Sequence, residues 1–160
     1  MSSSVRVRVW LVVAVLATLH LLLHVGLSME GGAPDLLTLG LLLASREIGT
    51  GKAASLGLFF GLLEDALSVL AFGANSVAMT ILGIGGALTR DLFVGDSRFF
   101  LVSYVFIGKW TRDLFHWIAV GAGQRQSFVE GVLVDGGIAS LYVVAVGVVV
   151  SMVTGLGRDM

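Results

Sequence analysis

Charged and titratable side chains interrupt two of the apolar stretches of this sequence. In the stretch 53–72, Glu64 and Asp65 are adjacent among apolar or small residues. In the stretch 99–122, four residues have the spacing i, i+3, i+4 and i+7, which places them on one face of a helix: Lys109, Arg112, Asp113 and His116. Groups of these types can form ion pairs, line a polar pocket or carry out acid–base chemistry.

The two adjacent acids need different partners, because neighbouring residues of a helix differ by about 100° in direction. We expect one of Glu64 and Asp65 to pair with Lys109 or Arg112. The other should cap a neighbouring helix end or stay partly protonated. Two interpretations of this pattern remain open: bridges that only hold the helices together, and a polar pocket or partner-docking surface.

The remaining chemistry-bearing residues do not complete a reactive site. His20 and His24 have the i, i+4 spacing of a metal-binding pair, but the sequence identifies no third ligand. His116 lies near Asp113 without a serine nucleophile in register. The sequence therefore predicts no metal, no cofactor and no enzymatic activity, and an intramembrane enzyme using Asp113 and His116 is the least favoured alternative.

Composition indicates where these residues must lie. Of the 160 residues, 56% are hydrophobic and 13% are charged, with a mean hydropathy of +0.97, whereas soluble domains carry about 25% charged residues. The chain is therefore predicted to be a single integral membrane domain over 1–160. The net charge of −1 argues against a nucleic acid partner. The absence of cysteine excludes disulfides and thiolate metal sites.

Six apolar segments predict an all-α membrane protein, a bundle of six transmembrane helices joined by short connections. The predicted helices are 9–27, 34–45, 53–72, 74–88, 99–122 and 131–156. The second is short enough to be either a partial span or a helix that continues to residue 47. Pro34 suits its first helical position, and Asp35 would then lie in its first turn.

Glycines at helical spacing predict where these helices approach closely. Gly57 and Gly61 form a GxxxG pair in the third segment, and Gly83 and Gly86 in the fourth indicate small-residue packing. Gly73 is expected to link the third and fourth segments tightly.

The distribution of Lys and Arg predicts orientation. With six crossings and a cytoplasmic amino terminus, the cytoplasmic side holds most of the basic residues outside the fifth segment: Arg6, Arg8, Arg46, Lys52, Arg90, Arg98 and Arg158. Only Arg125 falls on the other side. This bias favours an even number of crossings with both termini in the cytoplasm.

Three short motifs resemble the MreD family of rod shape-determining proteins. They are P-D-L-L at 34–37, G-L-L-E-D-A-L-S-V-L-A-F-G at 61–73 and S-V-A-M-T-I-L-G at 76–83. The second carries a spacing similar to that of the family, set by Gly61, Asp65, Ser68 and Gly73. The chain departs from the family pattern at Val69, where Gly is frequent, at Glu64, where an apolar residue is common, and in its polar K-W-T-R-D interruption.

The resemblance implies a non-enzymatic scaffold subunit of the cell-elongation and peptidoglycan synthesis machinery in the bacterial inner membrane. Its implied partners are MreC, the RodA glycosyltransferase, a class B penicillin-binding transpeptidase and the actin-like MreB, besides the lipid bilayer itself. The implied fold resembles the six-helix substrate-binding components of energy-coupling-factor transporters. The alternative is a small-molecule-binding membrane component of a transporter, whose polar site would comprise Glu64, Asp65, Lys109, Arg112 and His116.

Overall fold

The computed structural model describes residues 3–23, 34–68, 71–89, 98–123 and 126–155. Within these ranges the chain is helical and contains no strand, so the all-α prediction is confirmed. The helices are α1 (Ser3–Leu21), α2 (Leu36–Ser45), α3 (Thr50–Leu67), α4 (Ala74–Thr89), α5 (Arg98–Ala119) and α6 (Gly136–Thr154). A π-helical segment, Val129–Asp135, leads directly into α6.

Several predicted helix boundaries are wrong. The third helix ends at Leu67 rather than at 72, because Ser68 has an extended backbone (φ −97°, ψ 131°). A turn follows in which Ala71 (φ 57°) and Gly73 (φ 96°) both have positive φ, so Gly73 does link α3 to α4 as predicted. The fifth helix ends at Ala119 rather than at 122. The first begins six residues earlier than predicted, and residues 24–27 lie outside the described part.

The start of α2 also differs from the prediction. Asp35 is the N-cap residue rather than a residue of the first turn, and its carboxylate accepts a hydrogen bond from the Thr38 backbone N–H. Pro34 therefore precedes the cap and is not the first helical residue. All ten residues of α2 are buried. At about 15 Å it is shorter than the roughly 30 Å hydrocarbon core of a bilayer.

Contacts between helices show that they alternate in direction. In the pair α2 and α5, Asp35 lies 3.4 Å from Lys109, and Ser45 lies 3.1 Å from the Tyr104 hydroxyl. Helices α2 and α5 are therefore antiparallel. The Arg8 guanidinium lies 3.4 Å from the carbonyl of Thr154, so the start of α1 meets the end of α6.

One end of the bundle, here called the basic end, is where α1, α3 and α5 begin and where α2, α4 and α6 finish. Arg6 and Arg8 lie in the first half of α1, Arg46 caps the end of α2, and Lys52 lies in the first turn of α3. Arg46 also lies over the rings of two α5 aromatics, 5.1 Å from the centre of Phe100. The opposite end is called the far end.

Helices α3 and α4 pack closely through the predicted glycines. A Cβ atom added to Gly57 would lie 2.8 Å from the backbone carbonyl carbon of Met79. One added to Gly61 would lie 2.6 Å from the backbone carbonyl oxygen of Asn75. Gly83 presses on α3 in the same way, since an added Cβ would lie 2.9 Å from the Ala53 carbonyl carbon. Real side chains do not approach backbone so closely, so this contact needs glycine.

A similar restriction applies to Gly86, where α2, α4 and α5 meet. An added Cβ would lie 2.9 Å from the Tyr104 hydroxyl, which itself donates to the Leu42 carbonyl oxygen at 3.0 Å. The predicted packing role of these small residues is therefore confirmed.

The outer surface of the bundle is apolar. Within the described residues, one helical stretch, Val129–Thr154, is long and apolar enough to cross a membrane, with 26 residues and a mean hydropathy of 2.2. Leu36–Ser45 and Ala74–Thr89 are shorter apolar helices. Large apolar side chains are exposed on several helices, including Val153 at 81% and Phe99 at 80%.

Candidate functional site

A cluster of ionic and polar side chains lies at the far end of helices α1 to α4. His20 is in the last turn of α1, Asp35 caps the start of α2, Glu64 is one turn before the end of α3, and Asn75 is in the first turn of α4. Helix α5 continues past this level and contributes its middle. We call the following residues the polar cluster: His20, Asp35, Glu64, Asn75, Lys109, Arg112 and Asp113.

Arg112 is the centre of the polar cluster. Its guanidinium donates to the Glu64 carboxylate in a short contact, to Asn75 Oδ1 at 2.6 Å and to Asp113 Oδ1 at 3.1 Å. Its Nε lies 3.7 Å from Asp35 Oδ2. A planar guanidinium with five donors can satisfy several acceptors at once, so this single residue ties α5 to three other helices.

Lys109 contacts two of the acids that also contact Arg112, Asp35 and Asp113. It is 4% exposed, donates to the Asp113 carboxylate in a short contact and lies 3.4 Å from Asp35 Oδ2. Because Asp113 follows Lys109 by four residues, this pair forms within α5 itself. The predicted face of α5 therefore does gather its charges, and it turns them toward the interior.

Glu64 and Asp65 have the divided roles expected from their directions. Glu64 pairs with Arg112. Asp65 is 1% exposed and caps α4, accepting hydrogen bonds from the backbone N–H groups of Asn75 at 3.1 Å and Ser76 at 3.0 Å, and from the Ser76 hydroxyl at 2.5 Å. A carboxylate at a helix N-terminus is stabilised by the unpaired N–H groups and the helix dipole. The predicted pairing and capping are both confirmed.

Two indoles attach α5 to the chain that precedes α6. Trp110 Nε1 donates to the Val132 carbonyl at 3.0 Å, and Trp117 Nε1 donates to the Gln126 carbonyl at 2.9 Å. These indoles therefore fix α5 against the π-helical segment and the residues before it.

The sequence alone did not assign three contributors to this site. His20 Nε2 lies 3.7 Å from Glu64 Oε1, Asn75 accepts from Arg112, and Thr38 donates its hydroxyl to Asp35 Oδ2 at 2.6 Å. The P-D-x-x-T spacing at 34–38 is an N-cap signal for α2 that could have placed Asp35 and Thr38. Nothing local marks His20, because its contact depends on the arrangement of α1 and α3.

Two cavities adjoin the polar cluster. The smaller, of about 260 Å³, is lined by His20, Asp35, Glu64, Leu67, Ser68, Asn75, Lys109, Arg112 and His116. The larger, of about 410 Å³, lies between α5 and the start of α6 and is lined mainly by Asp113, Trp117, Gln126 and Asp135. Lys109 and His116 line both cavities. The predicted residues Ser68 and His116 thus lie at the cavities rather than among the ion pairs described above.

Three groups of the smaller cavity have the donor types of a metal site. One ligand atom each from His20, Asp35 and Glu64 lies within 4.8 Å of the others. Arg112 and Lys109 already contact the two carboxylates, and their charges would repel a divalent cation. His24, the other half of the histidine pair considered from the sequence, lies outside the described residues.

Comparison with known proteins found no matching family model, no matching curated protein and no matching solved structure.

Proposed function

We propose that this chain is a multi-pass membrane protein whose six helices all lie in the bilayer, with both ends on the cytoplasmic side. The observation that carries this proposal is the apolar outer surface of a bundle that also encloses ionic residues. Its ionic residues Lys109, Arg112 and Glu64 face inward, whereas large apolar side chains cover the outside. A soluble bundle would place most of its ionic groups on the surface.

The orientation follows from the basic end. The described residues Arg6, Arg8, Arg46 and Lys52 lie at this end, which the positive-inside rule assigns to the cytoplasm. The alternating helix directions and the contact between Arg8 and Thr154 support an even number of crossings. The polar cluster and its cavities then lie toward the outer leaflet.

Within this architecture we assign the chain the role of an MreD-type scaffold in cell elongation. The motif residues that carry the resemblance have structural roles that a scaffold needs. Asp35 and Asp65 cap helices, Gly61 lets α4 approach α3, and Gly73 forms the turn between them. The exposed apolar faces of α1 and α6 offer surfaces for lateral contact with other membrane helices.

The partners in this proposal are an MreC-like protein, RodA, a class B penicillin-binding transpeptidase and MreB. Depletion in the native host should convert rods into spheres, and a tagged copy should restore rods and co-purify with the MreC-like protein. Cells that stay rod-shaped on depletion, together with a purified protein lacking these partners, would contradict the scaffold role.

The second candidate is a small-molecule-binding component of a transporter. The two cavities beside buried ionic groups favour it. Such a component should co-purify with an energising subunit and retain a solute, so the same affinity purification separates the two functions by the identity of the captured proteins.

A further inference from the structure

A groove of about 420 Å³ lies at the basic end, between α1 and α3, which both pack against α2. The apolar side chains Trp10, Ile48, Leu56 and Phe59 line it, together with Lys52. Trp10 is 39% exposed and Phe59 is 56% exposed, so this apolar wall is open to the surroundings of the bundle. Within the described residues, Lys52 is the one charged side chain of the lining, and it is exposed.

The depth of the groove limits what can occupy it. Its α3 wall extends from Lys52 to Phe59, which is about 10 Å along the helix axis. A transmembrane helix of a partner would cross the whole hydrocarbon core of about 30 Å, so this groove would contact only a small part of it. A molecule anchored in one leaflet, with a polar group at the membrane interface and an apolar chain beneath it, matches the depth. Trp10 is a residue type that favours this interface.

Two exposed cations belong to the two walls of the groove. Lys52 lies in the first turn of α3. Arg6 precedes Trp10 by four residues, so it lies on the same face of α1, one turn nearer the end of the bundle. Neither of these basic side chains forms an ion pair or a hydrogen bond within the described part of the chain. Both charges are therefore available to an anionic group at the mouth of the groove.

The other charged residues of the basic end are placed differently. Arg46 lies over the aromatic rings of α5, and Arg8 donates to the carbonyl of Thr154. Glu47 is the acid that the described residues place at this end, and it does not line the groove. The groove therefore combines an apolar wall with positive charge, which is the complement of an anionic amphiphile.

We infer that this groove binds an anionic phospholipid of the cytoplasmic leaflet, with the phosphate held by Lys52 and Arg6 and one acyl chain lying against Trp10 and Phe59. Basic pockets between transmembrane helices on the cytoplasmic side are suited to such headgroups. The inference rests on the proposed location in the membrane, with the basic end in the cytoplasm, and not on the scaffold role.

Native mass spectrometry of the purified full chain, released from lipid nanodiscs, tests the preference for an anionic lipid. The nanodiscs contain equal amounts of phosphatidylglycerol and phosphatidylcholine with identical acyl chains, so the two lipids differ in headgroup alone. Phosphatidylglycerol should be retained about tenfold more than phosphatidylcholine, because two basic side chains face its net negative charge. Equal retention of the two lipids would overturn the inference.

Two substitutions of equal charge separate the groove from a general attraction to the basic end. Lys52→Gln should lower the retention of phosphatidylglycerol by about fivefold, whereas Lys52→Arg should preserve it. Arg46→Gln is the matched control, because it removes one positive charge from the same end of the bundle but at the α5 side. Arg46→Gln should leave the retention unchanged. A Lys52→Gln variant that retains as much lipid as the unmodified chain, or an equal loss in Arg46→Gln, would overturn the inference.

Fluorescence quenching locates the acyl chain without altering the basic residues. Phosphatidylglycerol with a brominated acyl chain should quench Trp10 more strongly than brominated phosphatidylcholine at the same mole fraction. The Trp10 contribution is the difference between the unmodified chain and Trp10→Phe, and equal quenching by the two lipids would contradict the site. A chain that fails to enter nanodiscs contradicts the proposed membrane location, whereas a chain that enters them without lipid preference overturns this inference alone.

Discussion

Replacing Asp65 with alanine should destabilise the protein more than any change at an exposed neighbour. The carboxylate accepts three hydrogen bonds from α4 and is 1% exposed, so Asp65→Ala leaves those donors buried and unpaired. Hydrogen bonds to charged groups contribute about 1.5–3 kcal/mol each, and a lost N-cap costs about 0.5–2 kcal/mol. Because the three bonds share one helix end, we expect a combined loss of about 3–4 kcal/mol rather than their sum.

The loss is measurable as a shift in reversible unfolding by sodium dodecyl sulfate in mixed micelles, followed by tryptophan fluorescence. Asp65→Asn keeps one acceptor oxygen and should lose about half as much free energy of unfolding. Leu62→Ala is the matched control, because this residue is on the same helix and 44% exposed. A loss below about 0.5 kcal/mol for Asp65→Ala, or one equal to that of Leu62→Ala, would refute the capping role.

Three further predictions concern packing, charge and orientation. In the same assay, Gly61→Ala should lower the free energy of unfolding by about 2–3 kcal/mol, because its Cβ would clash with the α4 backbone. Gly85→Ala has open space around it and should raise the free energy of unfolding by up to about 1 kcal/mol. Equal effects of the two substitutions would contradict the packing argument. Arg112→Lys should lower the free energy of unfolding by about 2 kcal/mol although the charge is kept, because one ammonium group cannot replace a guanidinium that donates to three side chains. Unchanged stability would show that only the charge matters. The chain has no cysteine, so a membrane-impermeant maleimide should label Ser127→Cys on intact cells and Gly51→Cys only after permeabilisation, and the reverse pattern would invert the proposed orientation.

The interior of the site was largely predictable from local spacing. The four residues of α5 had to share a face, and two adjacent acids had to point in different directions. Helix geometry therefore predicted that one acid would pair with α5 and that the other would cap a helix or stay partly protonated. The structure assigns the pairing to Glu64 and the capping to Asp65. Close packing through Gly57 and Gly61 was predictable for a similar reason, since residues four apart lie on one side of a helix.

Helix ends and distant contributors were not predictable. Apolar residues continue past Leu67, so the end of α3 depends on a turn in which Ala71 takes a positive φ that its residue type does not favour. His20 reaches the site only because α1 ends at that level. Its partner Glu64 is more than forty positions away in the sequence, and such a contact leaves no local pattern.

The complete burial of α2 sets an order for biosynthesis. This helix is too short to cross a bilayer alone, and part of its enclosure comes from residues made much later: Tyr104 donates to the carbonyl of Leu42 across 62 positions. Until the ribosome has produced α5, α2 lacks the packing contacts that α5 provides. The core around α2 can therefore close only after α5 has been synthesised, and a chain that stops earlier leaves the Leu42 carbonyl without the Tyr104 donor.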